Sequence, residues 1–558
     1  MLLMAALAVW QGRPVPVPEP PLQRLGCVSF AHPESALVFG RRPPVRQADL
    51  ERELTRLRPW TDCIRIYSSD PRQAEVLPLA RKLGLKVLLG AWINSHADTS
   101  HADLDSAIAL ARRYPGTVTA LVVGNEVLTV KEMPIAALLP YLDEARRRSP
   151  VPVTIAEVWS VWLTYPQLAD HVDFIGAHIL PYWDGAPLSL PAALAEVETA
   201  LQKVERRFPG KPILIAETGW PSGGRAKGGL APGQVEQARF VRGVAALAAR
   251  HGWRINLVEA YDQPWKRIPE GVAGGTWGLF DSAGRPKFAF AGAAVPERRW
   301  PLPLATTLLL GLWGGWRYGR RAWRAAALAP VLGALVGWQS LFLLDWVAGW
   351  GRAALALALL GGSLRMAWRG LRALARTETL AIPPPWAVAA LWRRPGAVAR
   401  ALAEPGGLLC LYQCGALLLC LGESWQGPSD YYSLVLASPA LAAALTGRAA
   451  RPGPWSRRFG LLLALGGPFS IALSGGVVLQ AWCWALVVLG LALPLLRRDQ
   501  PGASSVSTSS RKRSHSADRS TSSSRALSTS PAMKARSMAL NICPTRWAPA
   551  LKAAPAAE

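Results

Sequence analysis

Short runs of β-forming residues alternate with amphipathic helical stretches through the first half of this 558-residue sequence. This alternation predicts parallel strands, because a parallel connection must cross back over the sheet and usually does so through a helix. Several runs, such as ALVV at 120–123 and ILIA at 213–216, are apolar without interruption, as is typical of strands covered on both faces. The strand candidates are residues 26–30, 63–67, 86–92, 118–125, 153–158, 172–179, 212–217 and 255–260.

Eight such strands between residues 24 and 295 predict an α/β fold, a (β/α)8 TIM barrel, because their number and spacing suit the size of that barrel. The rival architecture is an open, doubly wound sheet. That sheet would place a glycine-rich phosphate-binding turn after its first strand, and no such turn follows residues 26–30.

From Pro301 onward the sequence is strongly apolar and is interrupted by arginine clusters. The clusters at 317–324, 365–400, 448–458 and from 497 each follow an odd-numbered apolar stretch, so all four lie on one side of a membrane. We therefore expect residues 301–496 to form an all-α, multi-span transmembrane region of about seven helices, with the barrel on the other side. The stretches are 302–316, 325–345, 346–363, 406–422, 432–447, 459–476 and 478–496.

The two ends of the chain carry short segments of different character. Residues 1–10 are apolar but too short to span a bilayer. We interpret them as the remaining end of a signal anchor, with a disordered terminus as the alternative. Residues 12–22 form a proline-rich linker, so the barrel domain is expected at 24–295. Residues 497–558 are rich in Ser and Arg without hydrophobic periodicity, and we expect this tail to be disordered.

The net charge of +25 is concentrated in the apolar half and the tail. Residues 1–300 carry 35 Lys and Arg against 29 Asp and Glu, whereas residues 301–496 carry 16 against 5. A nucleic-acid-binding protein would have a basic surface on its folded domain. The distribution instead follows the positive-inside rule, and we expect a lipid bilayer and no nucleic acid among the partners.

The seven cysteines have neither a CxxC pair nor zinc-site spacing. Cys27 and Cys63 lie near the starts of two neighbouring predicted strands. A disulfide between them in an oxidising compartment and two buried thiols are equally compatible with the sequence.

Carboxylates lie at several strand ends, where a TIM barrel places its catalytic residues. Glu126 follows the fourth strand and Glu217 ends the seventh, roughly across the barrel from each other. Glycoside hydrolysis needs one protonated and one ionised carboxyl group, and this pair suits that division. Asn125, directly before Glu126, is well placed to bind a sugar 2-hydroxyl.

Two motifs around these residues resemble those of glycoside hydrolase family 17. VGNEV at 123–127 resembles the acid/base motif of that family, and IAETGWPS at 215–222 resembles its nucleophile motif. Further matches are CIRIYS at 63–68, VDFIGAHILPYW at 172–183, VEAYDQPWK at 258–266 and GTWGLF at 275–280. The last three are most similar to a bacterial, membrane-anchored branch associated with β-1,3/β-1,6-glucan synthesis.

The resemblance implies a retaining mechanism in which Glu126 is the general acid/base and Glu217 the nucleophile. It also implies substrate-binding roles around the cleft, with Trp220 supporting the nucleophile loop. Plant members of the family often carry Glu where this chain has Gln263, so their linkage preference does not transfer. The expected substrate-binding residues are Tyr67, Asn125, His178, Tyr182, Trp183, Trp220, Glu259, Gln263 and Trp265.

Several residues carry a second interpretation. Glu157 is a subsite residue or a partner of Arg65, and Glu259 a cleft residue or a structural one. His178 is a sugar contact rather than a metal ligand, because no partner ligands stand at metal-site spacing, and we expect no metal and no cofactor. Trp183 and Trp265 stack on sugars or belong to the core. Asp345, at a span end, is expected at headgroup level.

The sequence thus predicts a retaining glycosidase or transglycosylase that acts on β-1,3-linked glucan, with or without β-1,6 branches. We expect a multi-pass protein of the bacterial inner membrane with a periplasmic barrel, and a membrane glucan synthase as partner. The alternative is a polysaccharide export or synthesis scaffold whose barrel binds glucan without cleaving it. A nucleotide-sugar-dependent glycosyltransferase is disfavoured, because the barrel sequence has no Asp-x-Asp-type metal site and no phosphate loop.

Overall fold

The computed structural model describes the barrel half of the chain and part of the apolar half. The described residues are 1–21, 23–33, 45–184, 189–224, 230–267, 270–347, 349–376, 380–381, 449–450, 454–473 and a few positions between 485 and 496. The chain divides into two compact units, Met1–Arg498 and Asp499–Glu558. The second unit, which contains most of the predicted disordered tail, lies outside the described residues.

Eight parallel strands form a closed barrel in the order β1 to β8, with β8 pairing back to β1. The TIM-barrel prediction is therefore confirmed, and each strand lies within a few residues of its predicted range. The largest differences are at β6, which begins at Ile175, and at β8, which ends at Leu257, so Glu259 lies in the loop that follows β8. The strands are Leu25–Ser29, Thr61–Ile66, Lys86–Ala91, Val118–Asn125, Val153–Val158, Ile175–His178, Ile213–Thr218 and Arg254–Leu257.

Helices cover the outside of the barrel, and the apolar side chains of each strand divide between two cores. One small cluster, including Leu88, Val122 and Phe174, fills the barrel interior. A much larger one lies between the strands and the surrounding helices. Burial on both faces explains the uninterrupted apolar runs in the sequence. The barrel helices α2–α11 are Gln47–Leu57, Pro71–Ala74, Val76–Leu83, Ala97–Arg113, Ile135–Arg148, Trp159–Thr164, Pro181–Asp184, Leu190–Arg207, Gln234–His251 and Gly271–Gly274.

Cys27 and Cys63 form a disulfide between β1 and β2. The two residues are direct partners in the parallel register of these strands, which brings their side chains together. The sequence allowed either a disulfide or two buried thiols, and the structure has the disulfide. A cross-link over 36 residues removes loop-closure entropy from the unfolded chain, which stabilises the barrel by about 2–4 kcal/mol.

The N-terminal segment is ordered against the rest of the protein. Helix α1 (Leu2–Gln11) packs beside the helices that follow the barrel, and the Gln11 side chain accepts a hydrogen bond of 2.8 Å from Trp338. The proline-rich stretch then lies along the barrel, where Val15 pairs with Ala294. Arg242, on a barrel helix, donates to the carbonyl of Pro18, which holds this stretch to the barrel.

Three long apolar helices follow the barrel: α12 (Pro301–Tyr318), α13 (Trp323–Trp346) and α14 (Gly349–Arg376). Small residues let α12 and α13 approach closely, because a side chain at Gly333 or Gly337 would collide with α12. Within the described residues, one stretch, Pro301–Asp345, has the length and composition to cross a membrane. It is folded into α12 and α13, joined by a turn.

The remaining predicted spans are only partly described. Helix α15 (Pro454–Leu473) covers most of the predicted span at 459–476. The predicted spans at 406–422 and 432–447 lie outside the described residues, as does most of the span at 478–496. Two short paired strands, β9 (Leu380–Ala381) and β10 (Ala449–Ala450), also occur in the apolar half. The count of seven spans stays a prediction.

The arginine cluster predicted as a connection from residue 365 begins inside a helix instead. Helix α14 continues to Arg376, because Arg365, Arg369, Arg372 and Arg376 recur at helical spacing and arginine is a good helix former. The end of α14 packs against the turn between α12 and α13, where Leu371 and Leu374 contact Tyr318 and its neighbours. Both arginine clusters therefore lie at the same end of the helices.

Candidate active site

Glu126 lies directly after β4 at the carboxyl end of the barrel, in a strained conformation. Its φ of 55° is in the left-handed region, which non-glycine residues rarely adopt, and Gly124 two residues earlier has a φ of 90°. The Glu126 amide donates 2.7 Å to the Ala156 carbonyl on the neighbouring strand, which holds the turn in place. Backbone strain of this kind persists where the surrounding structure fixes it, and it is concentrated at functional sites.

Glu217 projects from β7 into the same mouth and is held by a buried arginine. The Nη1 atom of Arg65 lies 3.1 Å from Glu217 Oε1 and donates 2.8 Å to the Ala216 carbonyl. Its Nη2 atom donates 2.6 Å to Asn125 Oδ1. Because the side-chain oxygen of Asn125 accepts this bond, the side-chain NH2 group is the part of Asn125 that can donate to a substrate.

His178, at the end of β6, lies between the two glutamates. Its Nδ1 is 2.9 Å from Glu126 Oε1, and its Nε2 is 3.6 Å from Glu217 Oε1. One carboxylate oxygen of each glutamate and one ring nitrogen all lie within 4.8 Å of one another. The side chain is only 1% exposed, so His178 is buried behind the carboxylates, not at the rim as expected for a sugar contact.

These three side chains could in principle hold a cation, because two carboxylates and an imidazole are common metal ligands. The Arg65 guanidinium already lies against Glu217 and would repel a metal ion there. The arrangement is better suited to acid–base chemistry between two carboxyl groups than to metal binding.

The two glutamates lie in different environments, as a pair with different roles requires. Burial alone would raise the pKa of Glu217, but the nearby His178 and Arg65 and a hydrogen bond from Tyr67 outweigh it and hold that pKa below its ordinary value. Glu217 is therefore ionised in weakly acidic solution. Glu126 is more exposed, with 27% of its side chain accessible against 12% for Glu217, and within the described residues it pairs with His178 and with no arginine.

Glu157 has a role that the sequence did not predict. Its Oε1 accepts 2.7 Å from the Leu128 amide, and its Oε2 accepts from both the amide and the hydroxyl of Thr129, at 3.1 and 2.7 Å. It is neither a subsite residue nor a partner of Arg65, so both earlier interpretations were wrong. Instead, this buried carboxylate holds the loop that carries Glu126.

Glu259 and Lys266 form a buried ion pair on the β8 side of the cleft, with Lys266 Nζ 2.9 Å from Glu259 Oε2. Burial raises the pKa of Glu259, and Lys266 offsets only part of this effect. The second oxygen, Oε1, is buried and accepts no hydrogen bond from the part of the chain that the structure describes. Lys266 also lies close enough to Glu217 to favour its ionised form, a contribution that the sequence interpretation missed because Lys266 is not at a strand end.

The aromatic residues predicted around the cleft fall into two groups. Trp265 is 38% exposed and Trp183 is half-buried, so each presents a ring surface. Tyr182 and Trp220 are buried in one aromatic cluster, in which the Tyr182 ring packs on Trp183, Trp220 and Trp277, and the role of Tyr182 at a subsite stays a prediction. The Trp220 ring also packs on Phe240, and its Nε1 donates 3.1 Å to the Ala231 carbonyl, so its support of the nucleophile loop stays a prediction.

Tyr67 and Gln263 differ in how closely they approach the glutamates. Tyr67 lies beside them, with its hydroxyl 3.0 Å from Ser29 Oγ and its ring under the Arg65 guanidinium. Burial and the charge of Glu217 raise its pKa well above the ordinary value, so it remains a hydrogen-bond donor. Gln263 is buried and donates 2.9 Å to the Ala31 carbonyl, which fixes its loop, and its binding of substrate stays a prediction.

The closed barrel of eight parallel strands thus carries two facing glutamates at its mouth, the pair of carboxyl groups that glycoside hydrolysis requires. Residues 42–278 match the family model described as the BtgE/BtgC glycoside hydrolase domain. This match agrees with the enzyme class predicted from the sequence.

Similar proteins cover the barrel half of the chain. A probable beta-glucosidase btgE of Aspergillus fumigatus is 29% identical over 226 residues, which are 39% of this chain and 39% of that protein. A glucan 1,3-beta-glucosidase of Arthroderma benhamiae is 28% identical over 265 residues, 43% of this chain and 84% of that protein. The chain spans about two fifths of the length of the btgE relatives that it matches.

A solved structure, the glycoside hydrolase family 17 β-1,3-glucanosyltransferase from Rhizomucor miehei, superposes with a TM-score of 0.42 at 20% identity. The superposition covers 47% of this chain and 95% of that one.

Replacing Glu157 with Gln tests its positioning role. A glutamine must turn its NH2 group toward an N–H or O–H donor of Leu128 or Thr129, which disturbs the loop that carries Glu126. We expect kcat to fall about tenfold with little change in KM. Glu198→Gln, in a surface ion pair with His251, is the control and should leave kcat unchanged. Unaltered kcat in Glu157→Gln would show that the loop does not depend on this carboxylate.

The pH profile of Arg65 variants tests the ionisation of Glu217. The ionised nucleophile is present above its pKa, and Arg65 lowers that pKa. Replacing Arg65 with Met should therefore raise the pKa and move the acid limb of kcat/KM to higher pH, by about one unit or more. Arg65→Lys keeps the charge and should move the limb less. An acid limb that stays in place in Arg65→Met would contradict the assignment.

Proposed function

We propose that the barrel is a retaining glycosidase or transglycosylase that acts on β-1,3-linked glucan. The observation that carries the proposal is the pair Glu126 and Glu217, whose nearest oxygens lie within 4.8 Å in contrasting environments. Retaining enzymes hold their carboxyl groups about 5–5.5 Å apart, whereas inverting enzymes leave about 6.5–9.5 Å for a water molecule. The short separation supports retention.

In the proposed first step, ionised Glu217 attacks the anomeric carbon while Glu126 gives its proton to the leaving glycosidic oxygen. The bond to the leaving sugar breaks, and a covalent glycosyl ester forms on Glu217. In the second step, Glu126 takes a proton from an incoming hydroxyl, whose oxygen attacks the anomeric carbon and releases Glu217. The Asn125 NH2 group binds the sugar 2-hydroxyl in both steps.

The incoming hydroxyl decides the outcome of the second step, because water gives hydrolysis and a sugar hydroxyl gives a longer glucan. Both activities occur in the names of similar proteins, a glucan 1,3-beta-glucosidase and a β-1,3-glucanosyltransferase. We favour transfer, since a purely degradative enzyme gains little from long membrane helices. A membrane glucan synthase that supplies the acceptor chain is the proposed partner.

The scaffold alternative, in which the barrel binds glucan without cleaving it, fits the site less well. A binding site has no need for a glutamate held at a φ of 55° or for an arginine that lowers the pKa of a second glutamate. The strained backbone at Glu126 and the buried arginine each cost free energy of folding, and both serve bond cleavage directly.

We also propose that the barrel lies on the extracytoplasmic face of a bacterial inner membrane. The Cys27–Cys63 disulfide suits an oxidising compartment. Arg320, Arg324 and Arg376 lie at the end of α12–α14 away from the barrel, where the positive-inside rule places the cytoplasm. The opposite end lies at the barrel, where Arg267 of the loop after β8 donates 2.9 Å to the Val347 carbonyl directly after α13.

Products from laminari-oligosaccharides test the activity. We expect Glu217→Gln and Glu126→Gln to lower kcat by at least about a thousandfold, because each removes one of the two reacting carboxyl groups. Mass spectrometry of wild-type products distinguishes longer chains, made by transfer, from shorter ones, made by hydrolysis. Proton NMR should show the β-anomer as the first reducing-end product. An α-anomer, or normal turnover by Glu217→Gln, would refute the proposed mechanism.

Protease accessibility tests the orientation. Protease added outside spheroplasts that express the full chain should digest the barrel, because we place it beyond the inner membrane. The measurement is an immunoblot against the barrel, with a cytoplasmic protein as the control for intact membranes. A barrel that is protected until the membrane is opened would reverse the topology.

A further inference from the structure

The loop after β8 has one face in the active site. Lys266 in this loop forms an ion pair with Glu259, and its positive charge favours the ionised form of Glu217, as described above. The neighbouring Trp265 exposes its ring, and its Nε1 is fixed by a bond of 3.1 Å to Gln263. Within this segment, Pro264–Arg267, which is a single 3-10 turn, the Lys266 Nζ lies 5.9 Å from the centre of the Trp265 ring, so the two side chains lie together.

The other face of the same turn lies against the helices that follow the barrel. Arg267 donates 2.9 Å from Nη1 to the carbonyl of Val347, which directly follows α13. In return, Arg352 near the start of α14 donates 3.2 Å to the Arg267 carbonyl. The Arg267 stem packs over Gly275, where any side chain would collide with it.

A small apolar contact extends this junction. Val272, in the short helix of the β8 loop, packs on Leu343 of α13 and on Ala356 of α14. The end of α13 is also tied to the segment that leads from the barrel into α12, because Asp345 receives two bonds from Arg299, of 2.7 and 2.9 Å. The end of α13 and the start of α14 therefore contact the loop after β8 at several points and hold it in place.

We propose that Arg267 and Arg352 are positioning residues through which the α13–α14 turn holds the Lys266–Trp265 side of the cleft in its substrate-binding arrangement. The proposal rests on the function proposed above and adds to it that the apolar helices take part in glucan binding. They do so without touching the sugar, because the two arginines fix the backbone that carries Lys266 and Trp265.

Binding of laminaritetraose to the full-length protein in detergent micelles tests the proposal. All variants carry Glu217→Gln so that the sugar stays intact, and affinity is measured by calorimetry. Arg352→Ala is the main variant, because it removes the bond to the loop without altering the barrel. We expect the Kd to rise about tenfold in Arg352→Ala and in Arg267→Ala, the effect of losing one hydrogen bond to a charged group.

Arg285→Ala is the matched control, since Arg285 forms an exposed ion pair with Asp281 on the barrel and should leave the Kd unchanged. Amide hydrogen exchange provides a second readout. Peptides covering residues 264–275 should exchange faster in Arg352→Ala, while peptides from β4 and β7 should not.

Each outcome decides the question. An unchanged Kd in both arginine variants, or a raised Kd without faster exchange in the loop, overturns the inference while the proposed function stands. A parent protein that folds but does not bind laminaritetraose overturns the proposed function itself, and the inference falls with it.

Discussion

The buried guanidinium of Arg65 is the interaction on which the active site depends. A charge that is 1% exposed costs several kcal/mol unless its surroundings compensate it. Here the compensation comes from three strands: the Ala216 carbonyl and Glu217 on β7, Asn125 on β4, and the Tyr67 ring after β2, 4.5 Å away. Because these partners engage both terminal nitrogens of Arg65, they are themselves fixed in place. The same contacts therefore position the nucleophile and surround the buried charge at the centre of the barrel.

The glutamates around this centre show how one residue type serves different purposes. Glu217 is kept ionised by its neighbours, and Glu126 is held in a strained turn. Glu157 accepts three hydrogen bonds from the loop beside Glu126, and Glu259 is paired with Lys266. The role of each carboxylate is set by the groups that it contacts, and most of those groups come from distant parts of the chain.

This explains which features the sequence could predict. Strand number and order follow from local periodicity, and a barrel mouth collects strand ends, so Glu126 and Glu217 could be located from position alone. The roles of Glu157, Gln263 and Tyr182 depend on which neighbour lies beyond the strand end, and that neighbour is set by tertiary packing. Lys266 was missed for the same reason, since it reaches the cleft from a 3-10 turn and not from a strand. Helix α14 was predicted too short because arginines at helical spacing look like a charged loop when only composition is considered.

The pairing of β1 with β8, Cys27 opposite Asn256, has a consequence for how the protein is made. The barrel cannot close until about 230 residues after β1 have been synthesised, and contacts of such long range form slowly. Helix α12 begins at Pro301, so little chain separates the last strand from the first apolar helix. Folding of the barrel and packing of the helices that follow it must therefore overlap in time. Until β8 arrives, the open edge of β1 is free to pair with another chain, and this interval is when the protein is most prone to aggregate.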